Sequence, residues 1–197
     1  MELHVDIQKN LGGFQLKAAF DTREAFTALL GASGCGKSLT LKCIAGVERP
    51  DRGRIVLDGQ VLFDSEQGIN LPPQKRQVGY LFQNYALFPN MTVEQNILCG
   101  LRDRRNREER RRVLAEMCGL LQLEGLEQQK PSQLSGGQAQ RTALARILVT
   151  QPRLLLLDEP FSALDSHLRD ELQPQLQALL QRLGQQTLMV THSRDEA

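Results

Sequence analysis

The sequence has 197 residues, of which 41% are hydrophobic and 24% are charged, and these are ordinary values for a globular domain with a substantial core. Its net charge of +1 gives no electrostatic reason to expect nucleic acid or an anionic membrane surface as a partner. The longest purely apolar runs are far shorter than the ~20 residues that cross a bilayer. Four scattered cysteines lack zinc-binding spacing and are interpreted as thiols in a reducing cytosol.

Residues 2–30 are predicted to form three short strands, because apolar and polar side chains alternate there. The first two strands each present one apolar face, formed by Leu3, Val5 and Ile7 and then by Phe14, Leu16 and Ala18. Leu11-Gly12-Gly13 is the predicted hairpin turn between them. The apolar run Ala25–Leu30 is predicted to be a third, buried strand.

The stretch Gly31–Ser38, GASGCGKS, fits the phosphate-binding pattern G-x-x-x-x-G-K-[ST]. It lies between the third strand and a predicted helix, Lys37–Ala45, which is the context that the pattern requires. Glycines let several backbone N–H groups converge, and the helix N-terminus adds partial positive charge. Lys37 is then expected to reach the terminal phosphates of a nucleotide, and the Ser38 hydroxyl to bind Mg²⁺. The alternative is a glycine-rich turn that matches by chance, as happens in roughly one chain in a hundred of this size.

A second hairpin is predicted for Arg54–Phe63, with its turn at Asp58-Gly59. Together with the first hairpin it would form a small antiparallel sheet beside the phosphate-binding core. After a break at Pro72-Pro73, Val78–Phe82 is predicted to be a buried core strand that ends at Gln83.

From about Leu87 to Gln133 the pattern becomes helical. Thr92 is a predicted N-cap, with Gln95 completing a capping box, and Asn106–Leu121 places most of its apolar residues on one face. The arginine-rich stretch 102–112 is interleaved with acidic residues and has no aromatic residues. We interpret this stretch as a solvated helix face and not as a nucleic-acid groove.

The last part of the chain alternates strands and helices. Leu154–Leu157 is predicted to be a strand of a parallel sheet covered on both faces, and Thr187–Val190 to be another buried strand. Between them a helix is predicted from Ser166 to about Leu183, with Pro174 bending or interrupting it. An open parallel α/β sheet of this kind binds its ligands at the carboxyl edge of its strands.

Polar residues follow several of these strands at that edge. Asp158 is expected to hold Mg²⁺ together with Ser38, and Glu159 to orient or deprotonate an attacking water. Gln83 is expected to reach the metal and the water. His192, after the last strand, is expected to hydrogen-bond the γ-phosphate and to hold Glu159 in register. Each residue alone would more often be structural, so the hypothesis depends on all of them lying at strand ends or in the facing loop.

Ser135-Gly136-Gly137 is a second anion-binding signature, because a serine and two glycines again begin a predicted helix. One nucleotide does not need two such sites in one chain. Two alternatives are open: this second loop folds over the same phosphates, or it serves a nucleotide held by another copy of the chain.

Together these motifs resemble the nucleotide-binding subunit of an ABC transporter over essentially the whole chain, since LSGGQ is preceded by Gly31–Ser38 and followed by LLLLDEP, SALD and a final histidine. The resemblance implies an α/β fold, with a P-loop NTPase core of mainly parallel sheet, a small antiparallel β subdomain and a helical subdomain inserted at about 87–133. It implies a single ABC-type nucleotide-binding domain over 1–197. The chain looks truncated at its C-terminus, because members of the family continue further.

The resemblance also implies a role for each motif. Nucleotide binding is assigned to Gly31, Ala32, Ser33, Gly34, Cys35, Gly36, Lys37, Ser38 and Leu39, and to Phe14, which would stack on adenine. The alternative for Phe14 is a hydrophobic strand residue without a role in binding. Metal binding is assigned to Ser38, Gln83 and Asp158, and catalysis to Glu159, His192 and Gln83. In this family two copies of the subunit face each other head-to-tail. The residues that would close on the ATP held by the other copy are Ser135, Gly136, Gly137 and Gln138. Ser162–Asp165 resembles the D-loop.

The stretches KNLGGFQLKAAFD and LPPQKRQVGYLFQNYALFPNMTVEQNI look most like ATPases of bacterial and archaeal importers for molybdate, tungstate or sulfate. The implied function is ATP hydrolysis, with ATP and Mg²⁺, that couples closure of a homodimer to uptake of a small solute. The implied partners are a second copy, integral membrane permease subunits and, indirectly, an extracytoplasmic solute-binding protein. The implied location is the cytoplasmic face of the cell membrane, and nucleic acid is not an expected partner.

Three other functions are considered. A soluble ABC-type ATPase of repair or translation would be expected to have two fused cassettes or a long coiled-coil insert, and this sequence has neither. A non-catalytic nucleotide-sensing module would not need Glu159 and His192. An importer ATPase for another solute, such as iron, a polyamine or a sugar, would carry the same motifs.

Overall fold

A computed structural model describes residues 2–32, 34–101, 106–162, 166–184 and 186–192. The strands are β1 (Leu3–Asn10), β2 (Gln15–Thr22), β3 (Phe26–Leu30), β4 (Arg52–Leu57), β5 (Gln60–Asp64), β6 (Ile69–Asn70), β7 (Val78–Leu81), β8 (Leu154–Asp158) and β9 (Gln186–Thr191). The helices are α1 (Lys37–Ala45), α2 (Pro73–Arg76), α3 (Val93–Leu98), α4 (Arg107–Leu121), α5 (Gly136–Leu148) and α6 (Ser166–Arg182). Two compact units are formed by the described residues, the first within 1–80, 153–159 and 177–197, and the second within 81–152 and 160–176.

The first unit contains an antiparallel sheet of five strands in the order β2-β1-β4-β5-β6. In its register, Leu3 of β1 pairs with Thr22 of β2 on one side and with Leu57 of β4 on the other. Both predicted hairpins are confirmed. The second hairpin turns at Asp58 and Gly59, whose φ angles of 47° and 76° suit a two-residue hairpin loop.

A second sheet has four strands in the order β3-β9-β8-β7, and β9 pairs in parallel with both β3 and β8. Every residue of β8 and β9 is buried, as their continuous apolar runs predict. β3 is different, because its residues are only partly buried and Leu30 is 50% exposed. The prediction of a buried third strand is therefore wrong. The reason is that β3 lies at the edge of the described sheet, with β9 as its one neighbour there.

In the core of the first unit, α1 packs against strands of both sheets. Leu41, Cys43 and Ile44 of this helix are fully buried among apolar residues of β1, β4, β5, β8 and β9. Burying one such aliphatic side chain contributes about 1.5–3 kcal/mol. Packing on one face therefore fixes α1 and, with it, the glycine-rich loop that leads into its N-terminus.

The C-terminus of α1 is held by a buried cation. Arg76 is fully buried, and its guanidinium donates at 2.8–2.9 Å to the carbonyl oxygens of Cys43, Ile44 and Leu71 and to Oδ1 of Asn70. All four acceptors are neutral, and burial lowers the pKa of Arg76 to about 10. A cation at this end of a helix interacts favourably with the helix dipole, so Arg76 stabilises the end of α1 opposite the loop.

The second unit is helical, and α5 packs there against α3 and α4. The predicted capping box of α3 is confirmed, because Oγ1 of Thr92 accepts from the N–H of Gln95 while Oε1 of Gln95 accepts from the N–H of Thr92. Asn106 caps α4 in a similar way, with Oδ1 accepting from the N–H of Glu109 at 2.9 Å.

α6 continues through Pro174 as one helix, so of the two effects predicted for this proline an interruption is excluded. Gly184, with a φ of 60°, follows the end of this helix as predicted. Among the described helices, none combines the length and the apolar composition that a membrane span requires.

Candidate active site

The loop between β3 and α1 has the left-handed backbone that its glycines permit. Gly34 and Gly36 have φ angles of 80° and 98°. A Cβ on Gly36 would lie 2.6 Å from Cδ1 of the buried Leu16, which would have to shift, so this position disfavours a side chain by space as well as by conformation. Gly36 is the N-cap of α1, and no side chain of the described residues caps this helix start. The first N–H groups of α1 are therefore left for a ligand or for water.

Lys37 lies within the curl of this loop. Its Nζ donates to the carbonyl oxygens of Gly31 at 2.6 Å and Ala32 at 3.0 Å, and it lies 3.9 Å from Sγ of Cys35. The ammonium group and the N-terminus of α1 thus concentrate positive charge in one small region. This arrangement suits a phosphate, whose oxygens form strong hydrogen bonds with charged donors.

An exposed aromatic ring lies beside the loop. Phe14, directly before β2, is 36% exposed, and its Cζ would be 3.1 Å from a Cβ on Gly36. A partly exposed ring next to a loop that suits a phosphate could stack on a nucleotide base.

The hydroxyl of Ser38 donates to Oδ1 of Asp158 at 2.7 Å and so joins the first turn of α1 to the last residue of β8. The other carboxylate oxygen, Oδ2, accepts a hydrogen bond of 2.7 Å from the hydroxyl of Tyr80 on β7. Asp158 is 6% exposed, and hydrogen bonds to both oxygens offset the cost of burying a carboxylate. Burial and the hydrogen bond to Asp158 raise the pKa of Tyr80, so its hydroxyl stays protonated and donates.

Ser38 and Asp158 also fit a magnesium ion. Mg²⁺ prefers hard oxygen ligands, and a hydroxyl and a carboxylate 2.7 Å apart offer two of them. In the described part of the chain, no group of three or more His, Cys, Asp or Glu residues could hold a metal ion. Mg²⁺ usually keeps several waters and takes only one or two carboxylates from a protein, so a hydroxyl and a carboxylate are enough for this fit.

Glu159 follows Asp158 with a left-handed backbone, at a φ of 47°. Its N–H donates to the carbonyl oxygen of Val190 at 3.0 Å, which connects it to β9. His192 follows β9, and its Nδ1 lies 3.7 Å from Oε1 of Glu159, which is too long for a hydrogen bond but short enough for an ion pair if the imidazole is protonated. Side-chain exposures of 51% for His192 and 19% for Glu159 leave both accessible to a ligand from solvent.

Two predicted site segments belong to the second unit. Ser135 is the N-cap of α5, where its Oγ accepts from the N–H of Gln138 at 3.3 Å and Oε1 of Gln138 accepts from the N–H of Ser135 at 2.9 Å. Gln83 lies two residues beyond β7, and its Nε2 donates to Oγ of Ser162 at 3.1 Å. The start of α5 is therefore capped by its own side chains, in contrast to the start of α1.

Within the first unit the structure brings Ser38 and Asp158 together, and Glu159 and His192 lie directly after β8 and β9. Lys37 precedes Ser38 and contacts its own loop. Leu39 is half-buried in the first turn of α1. Ser33 and residues 163–165 of the predicted D-loop lie outside the described residues.

Tyr80 is the contact at this site that the sequence did not predict. Its apolar neighbours in the sequence predicted only a buried core strand. A signal was present, because a buried tyrosine usually needs a partner for its hydroxyl. The partner is set by the position of β7 next to β8, which periodicity along one strand does not reveal.

Comparison with known proteins gives close relatives over most of the chain. A sulfate/thiosulfate import ATP-binding protein, CysA 2 of Chromobacterium violaceum, is 50% identical over 87% of this chain and 45% of its own length. A molybdenum import ATP-binding protein, ModC of Rhodospirillum rubrum, is 42% identical over 98% of this chain and 52% of its own length. A putrescine transport ATP-binding protein, PotG of Escherichia coli, is 51% identical over 86% of this chain and 44% of its own length. The chain spans about half the length of the curated relatives it matches.

The fold is likewise similar to a solved structure. The ATP-binding cassette MJ0796, in a dimeric post-hydrolysis state bound to ADP and Pi, matches all of this chain and 90% of its own with a TM-score of 0.79 and 29% identity. The predicted fold class, an α/β cassette with a parallel sheet and a separate antiparallel sheet, is confirmed. The family model described as ABC transporter matches residues 20–162, well over half of the sequence. The chain therefore belongs to the ABC transporter family.

Proposed function

We propose that this chain hydrolyses ATP as the nucleotide-binding subunit of an ABC importer. The observation that carries the proposal is the hydrogen bond between Ser38 and Asp158, because it joins the first turn after a glycine-rich loop to a carboxylate at the carboxyl end of a parallel strand. The names of the relatives, which are import or transport ATP-binding proteins, support the same activity.

In this proposal the loop binds the phosphates of ATP. Its backbone N–H groups and the uncapped start of α1 would surround the phosphate oxygens, and Lys37 would exchange the carbonyl oxygens of Gly31 and Ala32 for phosphate oxygens. The adenine would stack on Phe14. The full set of proposed nucleotide-binding residues is Phe14, Gly31, Ala32, Ser33, Gly34, Cys35, Gly36, Lys37, Ser38 and Leu39.

Ser38 and Asp158 would hold Mg²⁺ next to these phosphates, and Gln83 remains the predicted third ligand. When bound, Mg²⁺ neutralises charge on the β- and γ-phosphate oxygens. Ser38 and Asp158 would have their oxygens in position beforehand, since they already share a hydrogen bond.

Glu159 is proposed to orient the attacking water and to accept its proton, while the water oxygen bonds to the γ-phosphorus and the bond to the bridging oxygen of ADP breaks. His192 is proposed to donate to the γ-phosphate and to hold the Glu159 carboxylate, which lies 3.7 Å away. The hydrogen bond from Glu159 N–H to Val190 supports this pairing, because it fixes the backbone of the carboxylate relative to the strand that precedes His192.

The segment Ser135–Gln138 is proposed to bind the ATP that a second copy holds. This helix start carries no charged side chain and caps itself, so we expect it to bind an anion weakly alone and to add to a site that another chain already forms. Similarity to a cassette solved as a dimer supports a head-to-tail homodimer.

For the transported solute we propose an oxyanion such as molybdate, tungstate or sulfate, supported by relatives named for sulfate/thiosulfate and molybdenum import. The further partners would be integral membrane permease subunits and, indirectly, an extracytoplasmic solute-binding protein, at the cytoplasmic face of the membrane and without nucleic acid. A polyamine is the second candidate solute, favoured by the 51% identity to a putrescine transport protein. Uptake of labelled molybdate, sulfate and putrescine by cells that lack and then regain this chain separates these candidates.

The activity is tested by the variant Glu159→Gln. Removing the proposed base is expected to lower ATP turnover by about 10²–10⁴-fold and to leave ATP binding intact, so that ATP-bound dimers accumulate. Turnover is measured by phosphate release, and the dimer by size-exclusion chromatography with Mg²⁺ and ATP. The control is Glu116→Gln, at an exposed position of α4, which should behave like the parent chain. If Glu159→Gln hydrolyses ATP at the parent rate, the assignment of the base is wrong.

A further inference from the structure

We propose that Tyr80 is a positioning residue for Asp158: it holds Oδ2 of the carboxylate so that Oδ1 stays turned toward Ser38, where Mg²⁺ would bind. This inference deepens the proposed function and rests on it. It starts from the hydroxyl of Tyr80, which donates to Oδ2 at 2.7 Å while Ser38 donates to Oδ1 at the same distance.

Two donors are needed to fix this carboxylate. The terminal torsion of an aspartate is broad, so a carboxylate with one hydrogen bond can still rotate about its last bond. Here the two donors come from different elements, Ser38 from α1 and Tyr80 from β7, and they bind opposite oxygens of a residue on β8. The side chain of Tyr80 is a rigid ring with only two χ angles, so placing its hydroxyl costs little conformational entropy. The plane of the carboxylate is therefore set before a metal ion arrives.

A preset carboxylate matters for Mg²⁺ because this ion demands nearly ideal octahedral geometry and gives up its water reluctantly. Hydrogen-bond partners behind a metal ligand commonly change metal affinity by 10–100-fold when they are removed. We expect the loss of the Tyr80 hydroxyl to act at the low end of this range, since Ser38 still holds the other oxygen.

The chain offers a matched control in its other tyrosine. It has two tyrosines and no tryptophan. The hydroxyl of Tyr85 is buried and has no hydrogen-bond partner among the described residues. Tyr80→Phe and Tyr85→Phe therefore make the same chemical change, but only the first removes a hydrogen bond to Asp158.

The test measures binding of a fluorescent ATP analogue by the full chain, first in EDTA and then at rising Mg²⁺ concentration. Tyr80→Phe should raise the Mg²⁺ concentration for half-maximal effect about tenfold and leave the affinity in EDTA unchanged. Tyr85→Phe should match the parent chain in both. If Tyr80→Phe also matches the parent, this inference is overturned and the proposed function stands. If the parent chain binds no ATP with Mg²⁺, both are overturned together.

A second measurement covers the case in which Tyr80→Phe does not fold. In Tyr85→Phe, Tyr80 is the single tyrosine and, without tryptophan, the dominant source of ultraviolet emission. A carboxylate that accepts a hydrogen bond from a phenol quenches its emission, so adding Asp158→Asn to this variant should increase it. Emission that does not change would show that Tyr80 does not contact this carboxylate and would overturn the inference.

Discussion

The starts of α1 and α5 both carry glycines, yet they satisfy their backbone in opposite ways. α1 begins at Gly36 without a side-chain cap and has Lys37 as its first residue. α5 begins at Ser135 with a complete capping box and has no charge in its first turn. The comparison shows that a glycine-bearing helix start does not by itself define a site. The uncapped, charged start of α1 leaves backbone N–H groups for a ligand, whereas side chains already bind some of the backbone N–H groups at the start of α5.

The largest effect is expected from removing the charge at the start of α1. Lys37→Ala should lower ATP affinity by about 100-fold, because charge-assisted hydrogen bonds contribute about 1.5–3 kcal/mol each. Isothermal titration with ATP and Mg²⁺ measures the change. The control is Lys42→Ala, in the last turn of the same helix, which should bind ATP normally. Equal losses in the two variants would mean that the loop is not the binding site.

A smaller effect is expected from crowding the same loop through Cys35, which is exposed. An alkylating reagent at this thiol should weaken ATP binding roughly tenfold, since forcing a bulky group into a close-fitting site costs about 1–3 kcal/mol. Burial raises the pKa of Cys43 and Cys118 to about 11, so these thiols stay protonated and slow to react at pH 8.

Mass spectrometry of the labelled thiols, with and without nucleotide, tests this prediction. Bound nucleotide should protect Cys35 but leave the rate at Cys99 unchanged. Cys99 is exposed and serves as the internal control, although partial burial raises the pKa of its thiol and it should react more slowly than Cys35. Equal labelling rates of Cys35 in the two conditions would contradict the prediction.

The smallest effect is expected at the capped start. Ser135→Ala and Thr92→Ala remove equivalent capping boxes from α5 and α3, and each should lower the free energy of unfolding by about 1 kcal/mol. Thermal or urea unfolding measures that loss. If Ser135 also contacts the nucleotide of a second copy, Ser135→Ala should reduce ATP turnover and Thr92→Ala should not. A lost contact that stabilises the transition state by about 1 kcal/mol would lower turnover roughly fivefold. Equal turnover in the two variants would limit Ser135 to its capping role.

Local patterns predicted most of the fold, because turns and caps depend on neighbouring residues. The turn at Asp58-Gly59 and the capping box at Thr92 were both predicted from a few letters of sequence and are confirmed. The exposure of β3 was not predicted, since an apolar run has the same sequence at the edge of a sheet as in its centre.

The part of the candidate site that lies at the carboxyl ends of the parallel strands could be predicted from the sequence. Ser38 and Asp158 are 120 positions apart, but carboxyl ends of parallel strands meet at one edge, so their proximity followed from the strand pattern. Tyr80 was missed because its contact depends on which strand lies beside β8, and this order is a property of the whole sheet.

The enclosed guanidinium of Arg76 restricts where movement can arise in this molecule. Releasing the far end of α1 would strand a positive charge without acceptors inside the protein, a change that costs several kcal/mol. In the proposed function, α1 would therefore keep its position while ATP is bound and hydrolysed. Any movement coupled to ATP in that proposal would have to arise in other parts of the chain.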